Sequence, residues 1–128
     1  MCGIAGFYSR DNFPENPDKI LKLMGSAIEK RGPDSSGEWF DNEQKIGFSH
    51  RRLAILELSD AGNQPMYSHT KNFVIIFNGE IYNHLEIRKE IESISKVKWN
   101  GLSDTETLLM AIEVWGLEET LKKASGMY

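Results

Sequence analysis

The sequence predicts an α+β fold, and three observations carry that prediction. Apolar residues recur at helical spacing in "NPDKILKLMGSAIEKRGPD" and "SDTETLLMAIEVWG", each bounded by capping or breaking residues. Short runs of small, branched and aromatic residues, such as "GIAGFY" and "NFVIIFNG", read as strands. No internal repeat, low-complexity tract or linker divides the 128 residues, so the whole chain reads as one unit, long enough for a real hydrophobic core.

Taken in order, Gly3–Tyr8 is a short strand. The helix that follows has Asn16 or Asp18 to cap it, Pro17 in its first turn and Gly32-Pro33 to stop it. Ile20, Leu21, Met24, Ala27 and Ile28 form its apolar stripe. Strand-like pieces come next at Glu38–Phe40, Lys45–Ser49 and Arg52–Leu58. Five consecutive apolar residues, Phe73–Phe77, predict a strand covered on both faces. In "YNHLEIRKEIESI", Ile87, Ile91 and Ile94 recur at helical spacing. The last helix is the clearest: Ser103 and Glu106 form a capping box, and Leu108, Leu109, Ile112 and Trp115 form the apolar face. "KKASGMY" then stops directly after a glycine, at the start of another apolar strand, so the domain is expected to be truncated at the C-terminus.

The composition is that of a soluble globular domain, with 40% hydrophobic and 27% charged residues. A net charge of -4, with basic residues scattered apart from Lys30-Arg31 and Arg51-Arg52, argues against a nucleic-acid partner. One cysteine cannot form an internal disulfide, which points to a reducing compartment. No signal peptide is visible, and no run approaches the ~18 apolar residues of a membrane span. A cytoplasmic location without a membrane partner is expected.

That cysteine, Cys2, lies directly behind Met1. It reads either as a small buried hydrophobe or as a nucleophile. Removal of Met1 would leave a thiol, of reference pKa about 8.5, beside an α-amine of about 7.7–8.0. The amine can take the thiol proton and later return one to a leaving group, with no histidine required. His50, His69 and His84 sit in polar stretches that predict surface or loop roles. A thiol attacking an amide needs oxyanion donors, and "FNGE" offers the Asn78 side-chain amide and the Gly79 backbone N–H. The same Asn-Gly pair is also the strongest short hairpin signal. If the amide belongs to a free amino acid, Arg51 or Arg52 can hold its carboxylate by two parallel hydrogen bonds, and Asp104 can answer its ammonium. In a first helical turn, Asp104 serves the helix dipole equally well. "KRGPDSSG" reads as a polar turn or as a loop covering substrate.

"CGIAGFY", "KRGPDSSG", "SHRRLAILELSDAGNQPM", "FNGEIYN" and "SDTETLL", in that order, span essentially the whole chain. Together they resemble the glutamine amidotransferase domain of asparagine synthetase, the class II type with an amino-terminal cysteine nucleophile. "RGPD" is closer to that branch than to amidophosphoribosyltransferase or glucosamine-phosphate synthase, although Lys30 stands where the family usually has histidine. The resemblance implies an N-terminal-nucleophile hydrolase fold, a four-layer αββα sandwich, with residues 1–128 as the N-terminal part of that domain. It implies Cys2 as nucleophile, Asn78 and Gly79 as the oxyanion hole, and Arg52, the arginine directly before leucine, as the carboxylate ligand. The backbone of Leu53, Ala54, Ile55 and Leu56 would line the site, and Glu80 and Asp104 would bind the ammonium end.

The activity implied is hydrolysis of L-glutamine through a glutamyl thioester, with ammonia passed to the synthetase domain of the same parent chain for amidation of aspartate. No cofactor or metal is implied for this half. ATP and magnesium would serve the synthetase half, which is absent together with its Ser-Gly-Gly phosphate loop. A homodimer is a further expected assembly. The alternatives are amidation of a sugar or other carboxylate, and an inert interaction module.

Overall fold

The computed structural model describes residues 2–12 and 14–128. The chain forms two compact units. The first comprises the described residues of Met1–Ala54 with Asn63–Pro65 and Ile76–Asn78. The second comprises Ile55–Gly62, Met66–Ile75 and Gly79–Tyr128.

In the first unit, β1 (Gly3–Tyr8), β2 (Ser35–Asp41) and β3 (Ile46–Arg52) form an antiparallel sheet in the order β1-β3-β2. Gly3 faces Arg51 in one ladder and Ser35 faces Arg52 in the other. With neighbours on both sides, β3 buries Ser49, His50 and Arg52 although its sequence is polar. This corrects the two predicted pieces at Lys45–Ser49 and Arg52–Leu58: one strand runs through His50 and Arg51, and none follows from Leu53 to Leu58.

A helix, α1 (Pro17–Ala27), lies across one face of this sheet. Leu21 and Gly25 are its buried residues, while Ile20 and Ala27, predicted for the stripe, are exposed. A Cβ on Gly25 would stand 2.5 Å from Ser49 Oγ, so glycine is what lets the helix approach β3. Neither predicted cap operates. Asn16 makes no side-chain cap, and Asp18 pairs with Lys22 at 2.8 Å. A 3-10 turn, Glu29–Arg31, carries the chain from the helix to Gly32. On the sheet face opposite α1, Trp39 stacks on Phe48 at 5.3 Å, and Ile4 and Tyr8 are exposed.

In the second unit, β4 (Met66–Tyr67) pairs with β5 (Val74–Ile75), and β6 (Glu80–Ile81) pairs with β7 (Gly126–Met127), both antiparallel. A helix α3 (Asp104–Trp115) packs on α2 (His84–Ile94), α4 (Leu117–Lys123) and β6. Ile81, Ile87, Ile91, Leu108, Leu109 and Ala111 are its buried core. Ile94 is exposed. Ser103 Oγ accepts from Glu106 N at 3.0 Å, which is half of the predicted capping box. The Glu106 carboxylate reaches further back, accepting from Asn100 N at 2.8 Å and Gly101 N at 3.0 Å. Gly116, at φ 80°, ends the helix. The predicted strand Phe73–Phe77 shrinks to Val74–Ile75, because the run passes from the second unit to the first at Ile76. Antiparallel ladders with segregated helices place the fold in the α+β class.

Candidate active site

Cys2 stands one residue ahead of β1, so the β1–β3 register sets its place. Its half-buried Sγ accepts from Leu53 N at 3.4 Å and lies 3.7 Å from Leu53 O. Its carbonyl accepts from Arg31 Nε at 3.0 Å. The fold therefore brings Cys2 and Leu53 together. Met1, whose removal the sequence reading requires, lies outside the described residues.

The alternation of β3 separates the two arginines that the sequence left open. Arg51 pairs with the exposed Glu29 at 2.8 Å. Arg52 is 7% exposed, and its Nη1 donates to Asn63 Oδ1 at 2.9 Å. The same oxygen accepts from Ser35 Oγ at 3.0 Å, so the guanidinium is held from its side. Ala54 N donates to Asp34 Oδ2 at 2.8 Å and Asp34 N donates to Arg52 O at 3.0 Å. "RGPD" is thus a turn tied to the backbone at residues 52–54.

Asn78 is half-buried and follows Phe77, whose N–H donates to Gln64 Oε1 at 2.6 Å. Asn78-Gly79 does not join a hairpin of its flanking strands, since β5 pairs with β4 and β6 with β7.

Sequence reasoning missed His50. The polar stretch around it predicts a surface role, yet the ring is 0% exposed, and neither nitrogen has a hydrogen-bond partner. Burial lowers its pKa to about 4, and the Arg52 charge pushes the same way. The Phe77 backbone favours the protonated ring, but the geometry falls short of a hydrogen bond.

In the second unit, Asp104 is 8% exposed. Its Oδ2 accepts from Ile81 N and its Oδ1 from Thr105 N, each at 2.8 Å, which fixes the carboxylate in place. Glu80 is exposed on β6 and Gly79 half-buried before it, while Ile55 and Leu56 are exposed. His84, half-buried at the start of α2, was also missed. Burial lowers its pKa, the charges of Asp104 and Glu80 oppose that shift, and Arg88 adds to it. The two carboxylates thus act on one ring. His69, by contrast, lies in a turn, 3.7 Å from Glu106.

The predicted residues divide between the units: Cys2, Arg52, Leu53, Ala54 and Asn78 in the first, Ile55, Leu56, Gly79, Glu80 and Asp104 in the second. The first unit offers a thiol with an N–H donor beside it and a buried guanidinium suited to a carboxylate. The second offers carboxylates suited to an ammonium. Among the described residues, no three His, Cys, Asp or Glu side chains group as metal ligands, and no helix is long and apolar enough to cross a membrane.

Comparison with known proteins adds the following. Residues 1–128 match the family model of the glutamine amidotransferase domain. Asparagine synthetase (glutamine-hydrolyzing) 1 of Bacillus subtilis (strain 168) is 38% identical over 130 residues, covering 100% of this chain and 20% of that protein. Asparagine synthetase (glutamine-hydrolyzing) 1 of Arabidopsis thaliana is 32% identical over 119 residues, covering 92% of this chain and 19% of that protein. Amidase chry2 of Gibberella zeae is 28% identical over 126 residues, covering 91% of this chain and 18% of that protein. The chain spans about a fifth of the length of these relatives.

Proposed function

The chain belongs to the glutamine amidotransferase domain family, and from that premise we propose that it hydrolyses L-glutamine with Cys2 as nucleophile. The observation that carries the reading is the contact of Cys2 Sγ with Leu53 N at 3.4 Å, directly after the buried Arg52.

Once Met1 is removed, the α-amine of Cys2 takes the thiol proton, and the thiolate attacks the side-chain amide carbon of glutamine. The Asn78 side-chain amide and Gly79 N–H stabilise the oxyanion. Collapse breaks the C–N bond, the amine returns its proton to the leaving nitrogen, and ammonia departs from a glutamyl thioester. Water then cleaves the thioester to glutamate and restores the thiol. Arg52 holds the substrate carboxylate, Asp104 and Glu80 hold its ammonium, and the backbone at residues 53–56 lines the site.

The reading extends to residues 1–128 as the N-terminal part of a four-layer αββα sandwich. The sheet face opposite α1 supports it, with Trp39 and Phe48 stacked and Ile4 and Tyr8 exposed. It also extends to ammonia transfer to a synthetase domain of the same parent chain, in the cytoplasm, for ATP-dependent amidation of aspartate. ATP and magnesium belong to that half, and no residue of this chain is proposed to hold them.

The test is glutamate release from glutamine by the purified protein, after mass spectrometry confirms loss of Met1. Cys2→Ala should abolish turnover. Full turnover with Met1 retained, or with Cys2 replaced, would refute the mechanism.

A further inference from the structure

We propose that His50 and Gln64 are positioning residues for Asn78, acting through the backbone of Phe77; this rests on the reading of Asn78 as an oxyanion donor. Gly37 faces His50 across the β2–β3 ladder, and a Cβ on Gly37 would run into the Gln64 carbonyl. Both buried residues therefore neighbour Gly37. Gln64 Oε1 accepts the Phe77 N–H at 2.6 Å, while the His50 ring, buried beside this segment, leaves both nitrogens without a hydrogen-bond partner. Phe77 directly precedes Asn78, so whatever fixes its peptide groups fixes where Asn78 begins.

The chemistry of the ring supports this use. An imidazole at 0% exposure with both nitrogens unpartnered is a poor choice for packing alone, since phenylalanine would fill the space with no polar group to desolvate. A neutral ring carries one N–H, which can donate to a carbonyl. Contacts that are long in a free site tighten as the reacting group binds. The mechanism gives His50 no proton to carry, because the Cys2 amine does that work. A small error in donor placement can lower turnover by about a hundredfold while leaving binding intact.

Glutamine hydrolysis by the purified protein would be measured for His50→Phe, His50→Gln, Gln64→Met, Asn78→Ala and each of the first three combined with Asn78→Ala. His50→Phe is expected to lower kcat roughly ten- to a hundredfold with KM unchanged and Tm no lower than that of the wild type. His50→Gln, which keeps a donor, should recover part of that loss. Each double variant should be no slower than Asn78→Ala alone, because the residues act through the same donor. Unchanged kcat in the His50 and Gln64 variants, or losses that multiply in the doubles, would overturn the proposal. If His50→Phe does not fold, the His50→Gln cycle decides by the same criterion. Full kcat in Asn78→Ala would instead sink the oxyanion reading, and the proposal with it.

Discussion

Acidification is expected to weaken the fold through His50. On folding, the ring falls from a pKa of 6.5 to about 4, chiefly by burial and further by the Arg52 charge. Between those values the unfolded chain binds a proton that the folded chain refuses, so stability falls with pH. The contribution is fully present above pH 6.5 and is lost as pH falls through about 4. At ~1.4 kcal/mol per pH unit the whole effect is roughly 3 kcal/mol, of which about 2 kcal/mol is gone by pH 5. Denaturant titrations of the wild type and His50→Phe, at pH 7.5 and pH 5, isolate it. His84, whose pKa burial also lowers, responds alike in both proteins and cancels. The wild type should lose about 2 kcal/mol more than the variant between the two pH values. Carbon-13 NMR of the labelled imidazoles reads the pKa directly. A His50 pKa near 6.5, or coincident pH responses, would refute the reasoning.

Asp104→Asn keeps an acceptor for Ile81 N–H but removes the charge. Glutamine KM should rise roughly ten- to a hundredfold, the worth of a hydrogen bond to a charged group. Arg52→Lys should raise KM similarly by losing the forked donor pair, and steady-state kinetics beside thermal melts check both variants. An unchanged KM with a lowered Tm would leave either residue a structural role only. Gly25→Ala puts a methyl 2.5 Å from Ser49 Oγ and should destabilise the protein by about 1–3 kcal/mol; an unmoved Tm would mean that α1 slides without penalty. Ser103→Ala removes the acceptor for Glu106 N and should cost about 1 kcal/mol, read as a lower Tm with kcat preserved.

Local signals carried the sequence reading where the determinants are local. The helix at Asp104–Trp115 was legible because its cap, apolar repeat and closing glycine lie within one stretch of chain. The span of β1 was legible for the same reason. β3 was not, since its His50 and Arg51 read as a polar break, and its polar run becomes the centre of a sheet only when β1 and β2 flank it. No local pattern distinguishes Arg51 from Arg52. Strand alternation does so in the fold, and the resemblance did so in the sequence. The run Phe73–Phe77 misled because its hydrophobicity serves two units in turn. The side chain of Gln64, thirteen positions earlier, takes the Phe77 N–H that a strand would otherwise use. The burial of His50 has the same kind of cause: it comes from strands distant in sequence.

The pairing of Gly3 with Arg51 has a consequence for how the protein is made. The Cys2 carbonyl finds its donor in Arg31, twenty-nine positions along the chain. The partner of its sulfur, Leu53, follows fifty-one residues behind. Closing a loop of that size carries its entropic cost before any ladder contact rewards it. The Cys2 thiol thus gains this neighbour at its sulfur only when β1 has paired with β3. The contact therefore depends on an edge strand docking on the centre of its sheet.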